Sequence, residues 1–191
     1  KETGEKYHQN GEYDKDISKV VSDARKYMAL RITENNQKQK QQKLALVLDI
    51  DETAISNYSF MQKNMFGGSI KDFDAHIRRD PTPAIQPVLE LFKFAQKNNI
   101  SVFFVTGRKE NLRYATIHNL KKAGYNKWQR LYLKPNNYHQ SSIVPFKTSI
   151  RKRIESKGFT IIESIGDQQS DLRGGYAEKT FKLPNPYYKI S

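Results

Sequence analysis

Apolar positions along this chain recur with two periods, and the switches between them mark out the elements. From about Asp14, the residues Ile17, Val20, Val21, Ala24 and Met28 fall on one helical face, which predicts a helix to about Glu34. The Gln- and Lys-rich stretch Asn35–Lys43 reads as its fraying end or a linker. Leu44-Ala45-Leu46-Val47-Leu48 is too short for a globular helix and fits a strand buried on both faces. Ala84–Asn98 predicts an amphipathic helix with Val88, Leu91, Phe92 and Ala95 on one stripe and Pro83 and Pro87 near its start. A second buried strand follows at Ile100–Val105, then a helix at about Asn111–Ala123 closed by Gly124. Leu131–Leu133 is a short third strand and Lys134–Val144 a polar loop. Phe146–Lys157 is a helix closed by Gly158, and Thr160–Ile165 is the fourth strand. A short helix around Asp171–Ala177 leads to a last strand, Thr180–Leu183, and a Pro/Tyr-rich tail.

Strands alternating with helices predict a parallel sheet covered on both faces, an α/β fold of three layers, α/β/α. Between Thr53 and Ala84 no strand pattern is visible. Asn57, Tyr58, Phe60, Met61, Met65 and Phe66 precede a Gly67-Gly68 break and a helix at about Ile70–Arg79, which predicts a small helical cap at about 54–83. Its aromatic residues are either a substrate wall or core contacts of that cap. Residues 1–42 are expected to form an N-terminal helical extension packing on the core or the cap, with 43–191 as the catalytic core.

Composition narrows the function classes. With 191 residues, 37% hydrophobic and 12% aromatic, the chain has enough apolar material for one substantial core. It contains no cysteine, which excludes disulfides and thiolate metal sites. No run is long enough to cross a membrane as a helix. The chain opens on Lys1 instead of methionine, which predicts a processed or trimmed start and leaves room for an export signal upstream. Lysine and arginine total 33 against 20 acids, a net charge of +13 that attracts anions and selects no particular one.

Chemistry gathers at the strand ends. The first strand runs into Asp49 and Asp51, whose alternate positions can face one volume, with Thr53 just beyond. The bland reading is turn chemistry, with Asp51 or Thr53 capping the next helix. Thr106 follows the second strand, Asp167 and Asp171 the fourth, and Lys147 opens the preceding helix. A parallel sheet brings these places to one edge. Together they offer a cation site, a hydroxyl, a fixed positive charge and a spare carboxylate, the parts needed to grip a phosphoryl group.

In this order, Asp49-Ile50-Asp51-Glu52-Thr53, Thr106-Gly107-Arg108, Lys147 and Gly166-Asp167-Gln168-Gln169-Ser170-Asp171 resemble the four motifs of the haloacid dehalogenase (HAD) superfamily. More narrowly, the chain resembles the acid phosphatases of the third subclass, the bacterial class B and class C enzymes and the plant vegetative storage proteins. The strings Asp49–Tyr58, Phe146–Arg151 and Phe181–Tyr187 resemble the plant and plant-like bacterial branch. The resemblance implies a magnesium-dependent hydrolase of phosphate monoesters, exported as its relatives are. It implies Asp49 as nucleophile through an aspartyl-phosphate, and Asp51 as the acid and then the base. Thr106, Gly107, Arg108 and Lys147 would hold the phosphoryl group. Mg²⁺ would lie on Asp49, Asp167, Asp171 and the main-chain carbonyl of Asp51.

Several of these residues carry a second reading. Thr106-Gly107 alone would serve as a helix cap, Arg108 as substrate contact or surface cover, and Asp171 as metal ligand or helix cap. Lys134 is a rival to Lys147. His8, His76, His118 and His139 match no ligand spacing and are expected to be bystanders. Rival functions are a receiver domain, a storage or phosphate-binding protein, a phosphotransferase and a nucleic-acid binder. The receiver fails because no Asp ends the third strand. No nucleic-acid-reading motif is present, and the expected partner is a small phosphomonoester: either an aryl phosphate or nucleoside monophosphate stacked on Tyr58, Phe60 or Phe66, or, on an equal footing, phosphomonoesters of broad range.

Overall fold

The computed structural model describes residues 5, 6, 8, 10–64, 69–79 and 81–191. Five strands, β1 (Lys43–Leu48), β2 (Ser101–Lys109), β3 (Arg130–Lys134), β4 (Phe159–Gly166) and β5 (Lys179–Lys182), pair in the order β3-β2-β1-β4-β5. Every pairing is parallel. The chain runs outward from β1 to β3, then returns to the other side of β1 for β4 and β5. The direction therefore reverses between β1 and β4, the place where open α/β sheets bind ligands beyond their carboxyl ends.

The apolar run of β1 is buried because helices cover both faces. Leu44, Leu46 and Leu48 join one cluster, while Ala45 and Val47 join another. This is the two-residue alternation of a strand in a three-layer fold. The first cluster receives α1 (Glu12–Asn36) through Tyr13, Ile17, Val21, Ala24 and Met28, and α4 (Gln86–Lys97) through Val88, Leu91, Phe92 and Ala95. α5 (Arg113–Ala123) adds Leu120 to that side, and Gly124, with φ 110°, ends it in the left-handed turn expected. The second cluster is filled by Phe146, Ile150 and Ile154 of α6 (Val144–Ser156). An ion pair from Arg31 to Glu178 at 2.8 Å ties α1 to the segment before β5.

Two short helices, α2 (Tyr58–Lys63) and α3 (Ile70–Arg79), lie between β1 and α4. The expected Gly67-Gly68 break, with Met65 and Phe66, lies outside the described residues. Two predicted boundaries are corrected. β2 does not stop at Val105 but continues through Thr106-Gly107-Arg108 to Lys109. Thr106 pairs with Leu133 and Lys109 with Lys134, so Gly107 and Arg108 are extra residues bulged out of the ladder. The helix expected at Asp171–Ala177 is a single turn, α7 (Gln169–Leu172), because Gly174 and Gly175 take φ of 105° and 83° and turn the chain away.

Beneath α1, near the Met28 backbone, Glu163 of β4 is 0% exposed, and among the described residues neither of its carboxylate oxygens has a hydrogen-bond partner of ordinary geometry. Burial pushes its pKa up to about 9, even with Lys179 opposite it on β5.

Candidate active site

The site is built where β1 ends. The Asp49 N–H still bonds to the carbonyl of Ile165 on β4 at 3.0 Å, so Asp49 is fixed to the sheet. The Ile50 carbonyl then collects the N–H groups of Thr53, Ala54 and Ile55, and Glu52 takes a φ of 58° to make the turn. That turn folds the Thr53 hydroxyl back between Asp49 Oδ2 (3.4 Å) and Asp167 Oδ1 (3.2 Å). Neither Asp51 nor Thr53 caps the following helix, because α2 starts only at Tyr58, with Asn57 before it. The capping reading of this motif is corrected accordingly.

Lys147, on the first turns of α6, is 3% exposed. Its Nζ reaches Asp49 Oδ1 at 2.8 Å, Asp171 Oδ1 at 2.8 Å and the Val105 carbonyl at 3.0 Å. Burial opposes its charge, but Asp171 and Asp49 outweigh this and raise its pKa. Lys147 thus favours its ammonium form between Asp49 and Asp171. Lys134, the rival, lines the same cavity but is not among the hydrogen-bond or ion-pair partners found for Asp49 among the described residues.

Asp171 is not the N-cap of α7, which is Gln168; it stands three residues on, as the reciprocal member of a capping box. Its Oδ2 accepts the Gln168 N–H at 3.0 Å as a helix-capping contact, while Oδ1 faces Lys147. Gly166 makes the position accessible: a Cβ there would stand 2.5 Å from Asp171 Oδ2. Asp167 Oδ2 accepts from Gln168 Nε2 at 2.8 Å and Asn185 Nδ2 at 2.7 Å.

Asp49, Asp167 and Asp171 each offer a carboxylate oxygen, and these atoms lie within 4.8 Å of one another. All three residues are buried, and burial pushes their pKa values up to about 7, about 6 and about 6. Three carboxylates face one ammonium, so ionising them all leaves negative charge that a cation would neutralise. An all-oxygen set of this kind suits a hard divalent cation. The Asp51 side chain is not part of the cluster.

The Asp51 carboxylate, in the same cavity, is held by a different set of partners. Arg108 holds both its oxygens, Nη2 to Oδ1 at 2.7 Å and Nε to Oδ2 at 2.9 Å, and Asn57 Nδ2 adds a bond at 2.8 Å. Burial favours the neutral acid, but Arg108 and Asn57 prevail and hold its pKa below the ordinary carboxylate value. The remaining Arg108 nitrogen, Nη1, is taken by Thr116 Oγ1 (3.2 Å) and Asn119 Oδ1 (2.9 Å). Arg108 is 5% exposed, which corrects its reading as surface cover. Its donors go to Asp51 and to α5. Thr106 is buried, with its Oγ1 accepting the Arg108 N–H at 3.1 Å, and Thr106 and Gly107 both line the cavity. That cavity, about 540 Å³, opens onto Asp49, Asp51, Lys147 and Asp171.

These motifs do not stand alone. The HAD superfamily, subfamily IIIB (acid phosphatase), matches residues 1–191. The chain belongs to that family. It is 34% identical over 148 residues to acid phosphatase 1 of Solanum lycopersicum, covering 75% of this chain and 58% of the relative. It is 35% identical over 150 residues to the stem 28 kDa glycoprotein of Glycine max, covering 75% and 59%. The chain thus spans somewhat under two thirds of the length of these relatives. The fold is that of the class C acid phosphatase from Bacillus anthracis, with a TM-score of 0.75 at 21% identity, over 96% of this chain and 82% of that one.

In this member of HAD subfamily IIIB, the structure adds residues that sequence reasoning passed over. Glu52 is 1% exposed and accepts from the Asn57 N–H at 2.7 Å, from Asn57 Nδ2 at 3.2 Å and from the Tyr188 hydroxyl. His76 of α3 is not a bystander: its Nε2 lies 2.8 Å from Asn57 Oδ1. Asn57 Nδ2 already donates to carboxylates, so Oδ1 accepts and His76 Nε2 carries the proton. The Pro/Tyr-rich tail is a wall of the site, since Asn185 holds Asp167 and Tyr187 and Tyr188 line the cavity. Asn57 and Asn185 lay inside the strings that carried the family resemblance, which was the available signal. Of the expected stacking aromatics, Phe60 lines the cavity, Tyr58 stacks on His8 with ring centroids 3.6 Å apart, and Phe66 is outside the described residues.

Proposed function

We propose that this protein is an acid phosphatase that hydrolyses phosphate monoesters with a divalent cation, Mg²⁺, through an aspartyl-phosphate on Asp49. The observation that carries the reading is Lys147 at 2.8 Å from both Asp49 and Asp171, with Asp167 in the same oxygen cluster at the switch point of the sheet.

Asp49, Asp167 and Asp171 would hold the ion, with the Asp51 carbonyl as a further donor. The bound ion supplies positive charge that lets a carboxylate approach a phosphate dianion. Lys147 steadies the equatorial oxygens from the protein side, and Thr106 and the Gly107 backbone border the place they occupy. Asp49 Oδ attacks phosphorus as the ester P–O bond breaks, and the departing alkoxide takes a proton from Asp51. Water then attacks the acyl phosphate, gives its proton to Asp51, and frees Asp49 and phosphate. In the unliganded site Arg108 keeps Asp51 ionised, so the geometry equips it best for this second, base half. For the first half, Asp51 takes up its proton as the substrate dianion enters beside it.

The cavity wall of Phe60, Phe73 and Ile77 favours esters of aromatic alcohols, nucleoside monophosphates and aryl phosphates among them. Export from the cytosol belongs to the same proposal, supported by similarity to a plant stem glycoprotein. Among the described residues no helix is long and apolar enough to cross a membrane.

A panel of phosphomonoesters assayed across pH, with Mg²⁺ and after chelation, tests the proposal. Turnover that vanishes on chelation and returns with Mg²⁺ is expected. Full activity after exhaustive chelation contradicts the metal role, and no turnover of any ester contradicts the enzyme reading in favour of a storage or phosphate-binding protein.

A further inference from the structure

The bulge that aims Arg108 at Asp51 has a second effect. By placing two extra residues in β2, it sets Lys109 directly across the ladder from Lys134 of β3. Neighbouring strands run about 5 Å apart, so two ammonium-bearing side chains leave the sheet edge side by side. Like charges placed opposite each other in a sheet destabilise it. Among the described residues neither lysine forms an ion pair. The nearest acid along the chain, Glu110, is engaged by both Arg113 Nη2 (2.7 Å) and Nε (2.9 Å). Burial and the field of Lys109 together lower the pKa of Lys134. Both lysines line the cavity that holds Asp49, on the side reached by following β2 past Thr106. Because Gly107 and Arg108 bulge out of the ladder, Lys109 stands only about one strand step, roughly 3–4 Å, beyond Thr106, so the lysine side chains border the phosphoryl end of the cavity and reach outward from it. The same cavity carries an apolar wall that includes Phe60 and Ile70, the latter 77% exposed.

We propose that Lys109 and Lys134 form an anion subsite, so that the favoured substrates are phosphate monoesters whose alcohol carries a second compact anionic group, a carboxylate or a phosphate, across an aromatic or similarly flat skeleton. The inference rests on the phosphatase reading for its reaction and on the lysine pair for its selectivity.

The test compares kcat/KM of the full chain for phenyl phosphate, 4-carboxyphenyl phosphate and 1,4-phenylene bisphosphate. The wild type is expected to favour the two charged esters about tenfold, the scale of one hydrogen bond to a charged group. The relative rates of the two charged esters tell a carboxylate from a phosphate preference. In Lys109→Gln/Lys134→Gln the ratio to phenyl phosphate is expected to fall to near one. In Lys93→Gln/Lys97→Gln, on exposed positions of α4, it is expected to persist. A wild-type ratio near one, or a ratio that survives loss of the lysine pair, overturns the proposal. So does a ratio lost equally in the α4 variant, which would assign it to the overall positive field. Calorimetric titration with 4-carboxybenzylphosphonate against benzylphosphonate reads the same preference without turnover. If no ester is hydrolysed, the phosphatase reading fails, and equal binding of the two phosphonates overturns the subsite independently.

Discussion

Arg108 holds Asp51 in a two-bond fork, 2.7 Å and 2.9 Å, and is itself anchored on α5 through Thr116 and Asn119. The carboxylate expected to move protons is therefore oriented by a buried guanidinium that reaches it from a bulge in the neighbouring strand. Lysine cannot reproduce this planar fork. Arg108→Lys is predicted to lower kcat at least about tenfold with a smaller change in KM, the pattern of a lost positioning contact. Steady-state kinetics on a chain shown to be folded by circular dichroism checks this, and an unchanged kcat would show that the fork is dispensable.

On the other side of Asp51, His76 donates to Asn57, and Asn57 donates to both Asp51 and Glu52. His76→Phe keeps a ring against Phe60, whose centroid is now 4.4 Å away, but leaves the buried Asn57 Oδ1 without its donor. A loss of about 1–3 kcal/mol of stability is predicted, read from the midpoint of urea denaturation. No shift in that midpoint would mean the amide finds another partner.

Gly166 tests the proposed cation role of the carboxylate cluster without removing any of its members. A methyl group there would stand 2.6 Å from Asp171 Cβ and must displace that carboxylate. Gly166→Ala is predicted to weaken Mg²⁺ binding about 10- to 100-fold, the size of effect produced by disturbing ligand support. Calorimetric titration with the ion checks it, and undiminished affinity would place the ion away from Asp171.

Glu163 makes stability depend on pH in a direction that can be stated. Its pKa rises from 4.5 to about 9 on folding, so between these values the folded chain keeps a proton that the unfolded chain releases. The stability this provides is complete below pH 4.5 and is lost progressively as pH rises toward 9. Glu163→Gln removes the titration while conserving size. Its melting temperature is predicted to exceed that of the wild type more at about pH 8.5 than at about pH 5. Parallel curves for the two proteins would show that Glu163 does not titrate there.

Much of this architecture was legible in the chain because local signals and the global fold agree. Leu44–Leu48 could hardly be anything but a buried strand, and carboxylates after two such runs meet wherever the sheet is parallel. Lys147 was separable from Lys134 only through the family string around it; geometry now separates them by their contacts. The continuation of β2 was illegible because Thr106-Gly107-Arg108 has the composition of a loop, and its pairing depends on β3. Ligand spacing says nothing of His76, because its partner is an amide nineteen positions away that only the fold brings to it. Glu52 and Asn185 are polar residues in irregular segments. Their roles depend on Tyr188 and Asp167 coming to them through tertiary structure, which no periodicity records.

The most direct test of the account is to find the phosphoryl group on the enzyme. Acid-quenched single turnovers with radiolabelled aryl phosphate, followed by peptide mapping, are predicted to place an acid-stable, hydroxylamine-labile label on Asp49, and none in Asp49→Asn. Label recovered on any other residue, or the same label in the Asp49→Asn variant, would contradict it.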